Sequence, residues 1–279
     1  MKPAVQIQPA SLLGIACLVG AIAAGSAAPA DEAEPGRIVA LAPSVTETLY
    51  ALGAGDRVVG VCAQCDFPVA ARTVARVGGY LSPSIEAVVG LSPDLVIAVP
   101  SPGNREAVRG LERLGIEVLV VQDLTLRDLW SSMRAIGARI GKAEAGAALA
   151  GRLEAELEQV RGAMGRRRRP RTLLVVGHRP LVVAGAGTLQ GELLEIAGAE
   201  NLARSLGGAW PTLSLEVALA HDPDLILDAA MGSEDGAHTL FGRGERPRVV
   251  RIPIDELLRA GPRIAVAARL LATHVLETP

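Results

Sequence analysis

Residues 80 to 97, YLSPSIEAVVGLSPDLVI, lie without a gap over residues 210 to 227, WPTLSLEVALAHDPDLIL. Ser84 meets Ser214, Glu86 meets Glu216 and Pro93-Asp94-Leu95 meets Pro223-Asp224-Leu225, while Ile85/Leu215, Val96/Ile226 and Ile97/Leu227 exchange one apolar side chain for another. Tyr80 meets Trp210 in a chain of 279 residues whose only other aromatics are Tyr50, Phe67, Trp130 and Phe241. A Pro-Asp-Leu triplet alone is ordinary punctuation before a strand; its recurrence inside so long an ungapped match is not. At a different offset ETLYALGAG, from Glu47, resembles GELLEIAGAE, from Gly191, with Leu49 against Leu194 and Gly53 against Gly198. Glycine at that place suits a left-handed helix terminus. Self-similarity of this kind marks a duplicated structural unit, and the chain is expected to form two related lobes facing each other across a cleft.

Each half reads as alternating strand and helix. Arg37–Leu41, Arg57–Val61, Leu95–Ala98 and Val118–Val121 are aliphatic runs without polar alternation, as expected of strands covered on both faces in a parallel sheet. Helical segments fall between them at Glu47–Leu52, Ile85–Leu91, Arg105–Leu114 and Leu126–Ile140. The pattern restarts at Thr172–Val176 and continues through Leu193–Ala197, Val217–Ala220, Leu225–Leu227, Val249–Ile252 and a last helix near Arg263–Leu276. Between the halves, Lys142–Met164 lacks proline and sets Ala143, Ala147, Leu149, Leu153, Leu157, Val160 and Met164 largely three and four apart, the stripe of an amphipathic helix. At 1.5 Å per residue it runs about 35 Å, enough to pass from one lobe to the other, and Pro170 marks its end. The expected fold is therefore α/β: two doubly wound lobes with parallel central sheets, residues 37–139 and 170–279, joined by one long rigid helix within residues 140–169.

The first 30 residues read as a signal peptide and so as export to the periplasm. Lys2 gives a positive start, Leu12–Ala24 an apolar stretch, and Ala28-Pro29-Ala30 a small-residue cleavage site. Cys17 sits in a poor lipoprotein context; retention of the segment as a membrane anchor is the alternative. With 28 basic and 30 acidic residues, net charge −2, no global field draws nucleic acid or an anionic membrane. The run Arg166–Arg169 reads as a solvated helix terminus matched to the macrodipole. Cys62 and Cys65 remain, spaced C-x-x-C in VCAQCDFP. In an oxidising compartment they form a local disulfide or, as the rival reading, the redox pair of an exported thiol oxidoreductase.

The residues themselves allow modest explanations. Glu86 and Glu216 stand in first helical turns, where the macrodipole favours acid, with Ser82 and Thr212 as candidate caps before Pro83 and Leu213. Ser44 and Glu47 in APSVTETL fit a capping box, so Glu47 is not read as catalytic. Tyr80 and Trp210 lie among Gly, Ser and Pro in loops after aliphatic strands, where aromatics on a two-lobed scaffold face a cleft mouth.

Taken together, RIVALAPSVTETLYALGAGDRVVGV, CDFP, VGGYLSPSIEAVVGLSPDLVIA, GELLEIAGAENLA, WPTLSLEVALAHDPDLIL and DELLRAGPRI resemble the periplasmic binding proteins of ATP-driven (ABC) importers whose lobes are joined by a single rigid helix. That group carries cobalamin, haem and iron-siderophore complexes, and the similarity, nearest to its cobalamin-binding members, runs from about Arg37 to the C-terminus. The resemblance implies that Tyr80, Trp210 and Phe67 line the cleft, and that Glu86 and Glu216 match two surface glutamates, one per lobe, that dock on arginines of paired membrane subunits. It implies a monomer with no resident cofactor, whose ligand is a corrinoid or an iron chelate.

Two departures from the cobalamin pattern keep the ligand open: Tyr80 stands for a tryptophan and Phe67 for a tyrosine. In haem carriers of the group a loop tyrosine binds iron; Tyr80 is the counterpart, with His178 of VVGHRP as a possible partner. Siderophores favour basic clefts, for which Arg179, Arg243 and Arg263 are the candidates. No G-x-G-x-x-G, G-x-S-x-G or H-E-x-x-H motif occurs, so neither a nucleotide site nor a hydrolase is supported and no catalytic residue is expected.

Overall fold

The computed structural model describes residues 34–230, 236–242, 244, 246–252 and 255–278. The N-terminal segment read as a leader, with Cys17, lies outside the described residues, as does Arg243. From Glu34 onward the chain forms one compact unit.

The first sheet takes β1 (Ile38–Ala40), β2 (Val58–Val61), β3 (Ala75–Arg76), β4 (Leu95–Ala98) and β5 (Val118–Val120) in the order β3-β2-β1-β4-β5. Every pairing is parallel, with Ile38 opposite Leu95 and Ala40 opposite Ile97. β1 and β4 are buried along their whole length, which is why their sequences show no polar alternation. Helices α1 (Pro43–Ala51), α2 (Ile85–Gly90) and α3 (Arg105–Arg113) lie in the crossovers between its strands, and α4 (Leu126–Arg139) follows β5.

Helix α5 (Ala143–Met164) follows, and then the second sheet: β6 (Arg171–His178), β7 (Leu181–Val183), β8 (Glu200–Asn201), β9 (Thr212–Leu213), β10 (Leu225–Asp228) and β11 (Arg248–Arg251). Its order is β11-β10-β6-β7-β9, with β8 beside β6. Helices α6 (Leu189–Ile196), α7 (Leu215–Ala220), α8 (Gly236–Phe241), α9 (Asp255–Leu258) and α10 (Ile264–Leu276) belong to this half. This sheet is mixed rather than wholly parallel. β7 runs antiparallel to β6, and β9 antiparallel to β7, because His178 and Leu181 pair directly across Arg179 and Pro180. A connection that short joins only antiparallel neighbours.

The duplicated triplet does the same work twice. The Asp94 N–H donates to the Arg37 carbonyl at 2.9 Å, and the Asp94 carboxylate accepts from the Gly36 and Arg37 N–H groups at 2.9 and 2.8 Å. In the other half the Asp224 N–H donates to the Arg171 carbonyl at 2.8 Å, and its carboxylate accepts from the Arg171 N–H at 2.9 Å. Each aspartate thus fastens the start of its sheet's first strand. Just before each triplet, Ser92 (φ 47°) and Asp222 (φ 45°) take the left-handed conformation at matched positions, and no other described non-glycine residue does. Gly53 and Gly198 match likewise, at φ 67° and 84°.

Several local expectations give way to other partners. The caps of α2 and α7 are Ser84 and Ser214, which accept from the Ala87 and Val217 N–H groups; Ser82 and Thr212 stand two residues too far out. Helix α1 begins at Pro43 after Ala42 with no side-chain cap, so Ser44 and Glu47 form no capping box, and Glu47 is turned inward. The buried stripe of α5 is Gly146, Leu149, Ala150, Leu153, Leu157, Val160 and Met164; Ala143 and Ala147 are exposed. Gly146 lies where α5 meets α4, so close that a Cβ on Gly137 would stand 2.9 Å from the Gly146 Cα. After α5, Arg168 pairs with Asp224 at 2.8 Å and Arg169 donates to the Ala199 carbonyl at 2.8 Å. These two arginines tie the connection to the second sheet rather than merely solvating a helix end.

Candidate functional site

Tyr80 is placed by its neighbours' side chains. Gln64, between the disulfide-bonded Cys62 and Cys65 with their Cα atoms 5.2 Å apart, accepts from the Tyr80 N–H through Oε1 at 2.9 Å. Arg76 donates to the Cys62 and Cys65 carbonyls at 2.9 and 2.6 Å, holding that loop from below. Fully buried Asn104 donates to the Val99 and Tyr80 carbonyls at 2.8 and 3.4 Å. The phenol is half-buried, and burial, with the charge of Asp123 as a second cause, pushes its pKa up to about 12.

Tyr80 opens on a cavity of about 260 Å³ bounded by both halves: Ser44, Gln64 and Asp123 from the first, Asp255, Leu258 and Arg259 from the second. Pockets that enclose a drug-sized ligand span roughly 300–1,000 Å³, so this one is slightly smaller than a typical enclosing site. The lining from the first half lies beyond the carboxyl ends of β1, β2 and β5, the end of an open α/β sheet where ligands bind.

Two ionic ties cross beside the cavity. Arg263, at the start of α10, donates to Glu47 through Nη2 and Nε at 2.7 and 3.0 Å and to Glu256 at 2.7 Å. Glu47 is 3% exposed, and the Arg263 guanidinium lies 4.2 Å above the Phe67 ring. The Arg263 pKa is raised, chiefly by the hydrogen bonds it donates to Glu47. Arg259 pairs with Asp66 and, at 3.2 Å, with Asp255; the first contact holds Asp66 below the usual carboxylate range.

The structure brings Tyr80 to the cavity; Phe67 is not among the lining residues and lies under the Arg263 guanidinium. Trp210 is 41% exposed and is not among the lining residues; its loop is turned toward β7, where Pro211 accepts from the Val183 N–H at 3.1 Å and Ala209 from the Gly185 N–H at 2.9 Å. His178 is not offered to the cavity: its Nε2 lies 2.9 Å from Asp228 Oδ1, in a network with Arg251. Arg179 is exposed in the turn after it, and Arg263 is committed to two glutamates. Glu86 and Glu216 are both exposed at the starts of α2 and α7, and Glu216 is held below the ordinary glutamate range by its own N–H and the Ser214 hydroxyl.

Gln64, Asp123 and Arg259 are the site residues that sequence reasoning missed. The segment DELLRAGPRI carried the signal for Arg259, whose i, i+4 partner is Asp255; nothing local marks the other two.

Two α/β halves joined through a long helix, with a cavity walled by both and ion pairs beside it, define a two-lobed ligand-binding protein. The chain belongs to the periplasmic binding protein family, whose profile matches residues 38–241. It is 27% identical over 252 residues to the vitamin B12-binding protein of Yersinia pestis (strain Pestoides F), covering 90% of this chain and 89% of that one. Among solved structures, the periplasmic haem-binding protein RhuT of Roseiflexus sp. RS-1, in apo form, superposes with a TM-score of 0.77 at 28% identity, covering 86% of this chain and 98% of that one. The periplasmic vitamin B12-binding protein BtuF of Vibrio cholerae gives 0.74 at 25% identity, covering 88% and 98%.

Proposed function

We propose that this chain is an exported solute-binding protein that captures a corrinoid, cobalamin or a close relative, between its lobes and hands it to an ABC importer. The observation that carries the choice of ligand is the cavity itself: half-buried Tyr80 faces it, and Arg259, the one arginine in its lining, is already paired with Asp66 and Asp255. A flat, apolar-rimmed macrocycle is suited by aromatic contact, whereas an anionic siderophore calls for uncommitted cations. Iron ligation by Tyr80 needs its phenolate, which a pKa of about 12 disfavours. The similarity to vitamin B12-binding proteins points the same way.

Phe67, beneath Arg263, extends the apolar border, and exposed Trp210 is assigned to the outer face of the seated ligand, met when the lobes close. Glu86 and Glu216 occupy matched places in the repeat, so they offer equivalent charges to equivalent sites on a pair of membrane subunits. Among the described residues no helix is long and apolar enough to cross a membrane. Cys62 and Cys65 are buried, which argues against thiol exchange, since reactive cysteines are partly exposed.

The similarity to a haem-binding protein supplies the rival ligand. Titration of the purified mature protein with cyanocobalamin, haem and a ferric siderophore, followed by absorbance and heat, tests the reading. A one-to-one corrinoid complex is expected to be the tightest of the three; tighter haem binding with an iron–phenolate absorption band replaces the corrinoid reading with the haem one.

A further inference from the structure

Asp123 is the one carboxylate of the cavity lining that nothing answers. Arg259 is balanced by Asp66 and Asp255, but no hydrogen bond or ion pair to a described residue engages Asp123. Its position is nevertheless fixed. On one side the Ser132 hydroxyl accepts from the Gln122 N–H at 3.1 Å and donates to the Gln122 carbonyl at 2.5 Å. On the other, the capping box of Thr125 and Asp128 starts α4. A free acid held between two anchors is a preorganised recognition group rather than a solvated surface charge.

Resting on the reading of this cavity as the solute site, we propose that Asp123 is its specificity-determining residue. Its carboxylate accepts a hydrogen bond from a primary amide on the rim of a neutral macrocycle and repels a carboxylate in the same place. A site built to hydrogen-bond one group rejects an analogue that leaves its polar atom unpaired, and here the rejected group adds a like charge. The groups facing Asp123 are Tyr80 from the loop after β3, Asp128 of α4, Asp255 of α9 and Arg259 just after it. Burial, and after it the charge of Asp128, pushes the Asp123 pKa up to about 6, so the acid is ionised at pH 7.5 and loses its repulsion near pH 5.

The test compares cyanocobalamin with its monocarboxylic acids, in which one peripheral amide is hydrolysed, on wild type and Asp123→Asn at pH 7.5. Wild type is expected to bind the amide form at least about tenfold more tightly than its weakest-bound monoacid. Asp123→Asn narrows that gap to about threefold, chiefly by gaining affinity for the acid, and wild type at pH 5 narrows it in the same direction. An unchanged gap in Asp123→Asn overturns the proposal; Asp123→Ser is the second variant should the first be poorly folded by circular dichroism. If no corrinoid binds wild type, the corrinoid reading fails by itself, and the comparison passes to haem and its dipropionamide. Preference for the amide that Asp123→Asn relieves then upholds the role of Asp123, preference for the propionate form overturns it, and failure of both macrocycles to bind overturns both readings.

Discussion

Asp123 shows how a single side chain is legible only through its neighbours. In sequence it is an acid in a loop before a helix. The cavity it shares is completed by Tyr80, distant in the chain, and by Asp255, Leu258 and Arg259, more distant still. The same holds for Gln64, whose use as the acceptor for Tyr80 is set by a turn between two cysteines. A loop aromatic in an aromatic-poor chain drew attention to Tyr80, while nothing in the sequence near His178 names Asp228 as its hydrogen-bond partner. The unanswered acid has a thermodynamic signature. Its folded-state pKa, about 6, lies above the roughly 3.9 of an unfolded aspartate, so the folded chain holds this proton more tightly. The associated stability is complete below about pH 4 and is lost as pH rises through about 6. Asp123→Asn is therefore expected to raise stability at pH 7.5 by on the order of 1–2 kcal/mol, with no gain at pH 4; urea midpoints at the two pH values read it. A gain of equal size at both would mean that the charge is not the cause.

Helices and strands were legible where one pattern governed them. The central strands announced themselves by uninterrupted aliphatic runs, and α2, α3 and α4 by apolar spacing, because burial on the sheet dictates both. Caps were not, since Ser82, Ser84, Thr212 and Ser214 all suit the role and backbone geometry selects Ser84 and Ser214. Glu47 is no part of a cap, because α1 starts at Pro43 after Ala42; its carboxylate instead accepts from Arg263, 216 residues away in sequence. That tie joins α1 to α10 and is nearly enclosed. Arg263→Ala leaves Glu47 as an unanswered buried charge and is expected to cost about 3–5 kcal/mol in urea unfolding. Adding Glu47→Gln to it should recover much of the loss; additive costs in that double-mutant cycle would show that the two side chains do not act as a pair.

The duplication was legible where matched strand starts need the same aspartate, Asp94 and Asp224, and where matched helix ends need glycine, Gly53 and Gly198. Its functional corollary lies on the outside. Glu86→Ala combined with Glu216→Ala is expected to leave ligand affinity within about twofold, since both residues are exposed on α2 and α7 and outside the cavity lining, while sharply lowering uptake through the reconstituted importer. Equal uptake by the double variant removes these glutamates from the docking surface. The mixed second sheet was not legible, since its antiparallel edge depends on one short turn. The contact between Glu47 and Arg263 bears, finally, on biosynthesis. The polypeptide is made N-terminus first, so Glu47 appears early and its cation only near the end of translation. Until the last helix has emerged, the first half carries an acid that it cannot comfortably enclose. A truncated product lacking that helix would be left ajar at this spot, a state open to proteases, and completion of the chain is what lets the two halves shut.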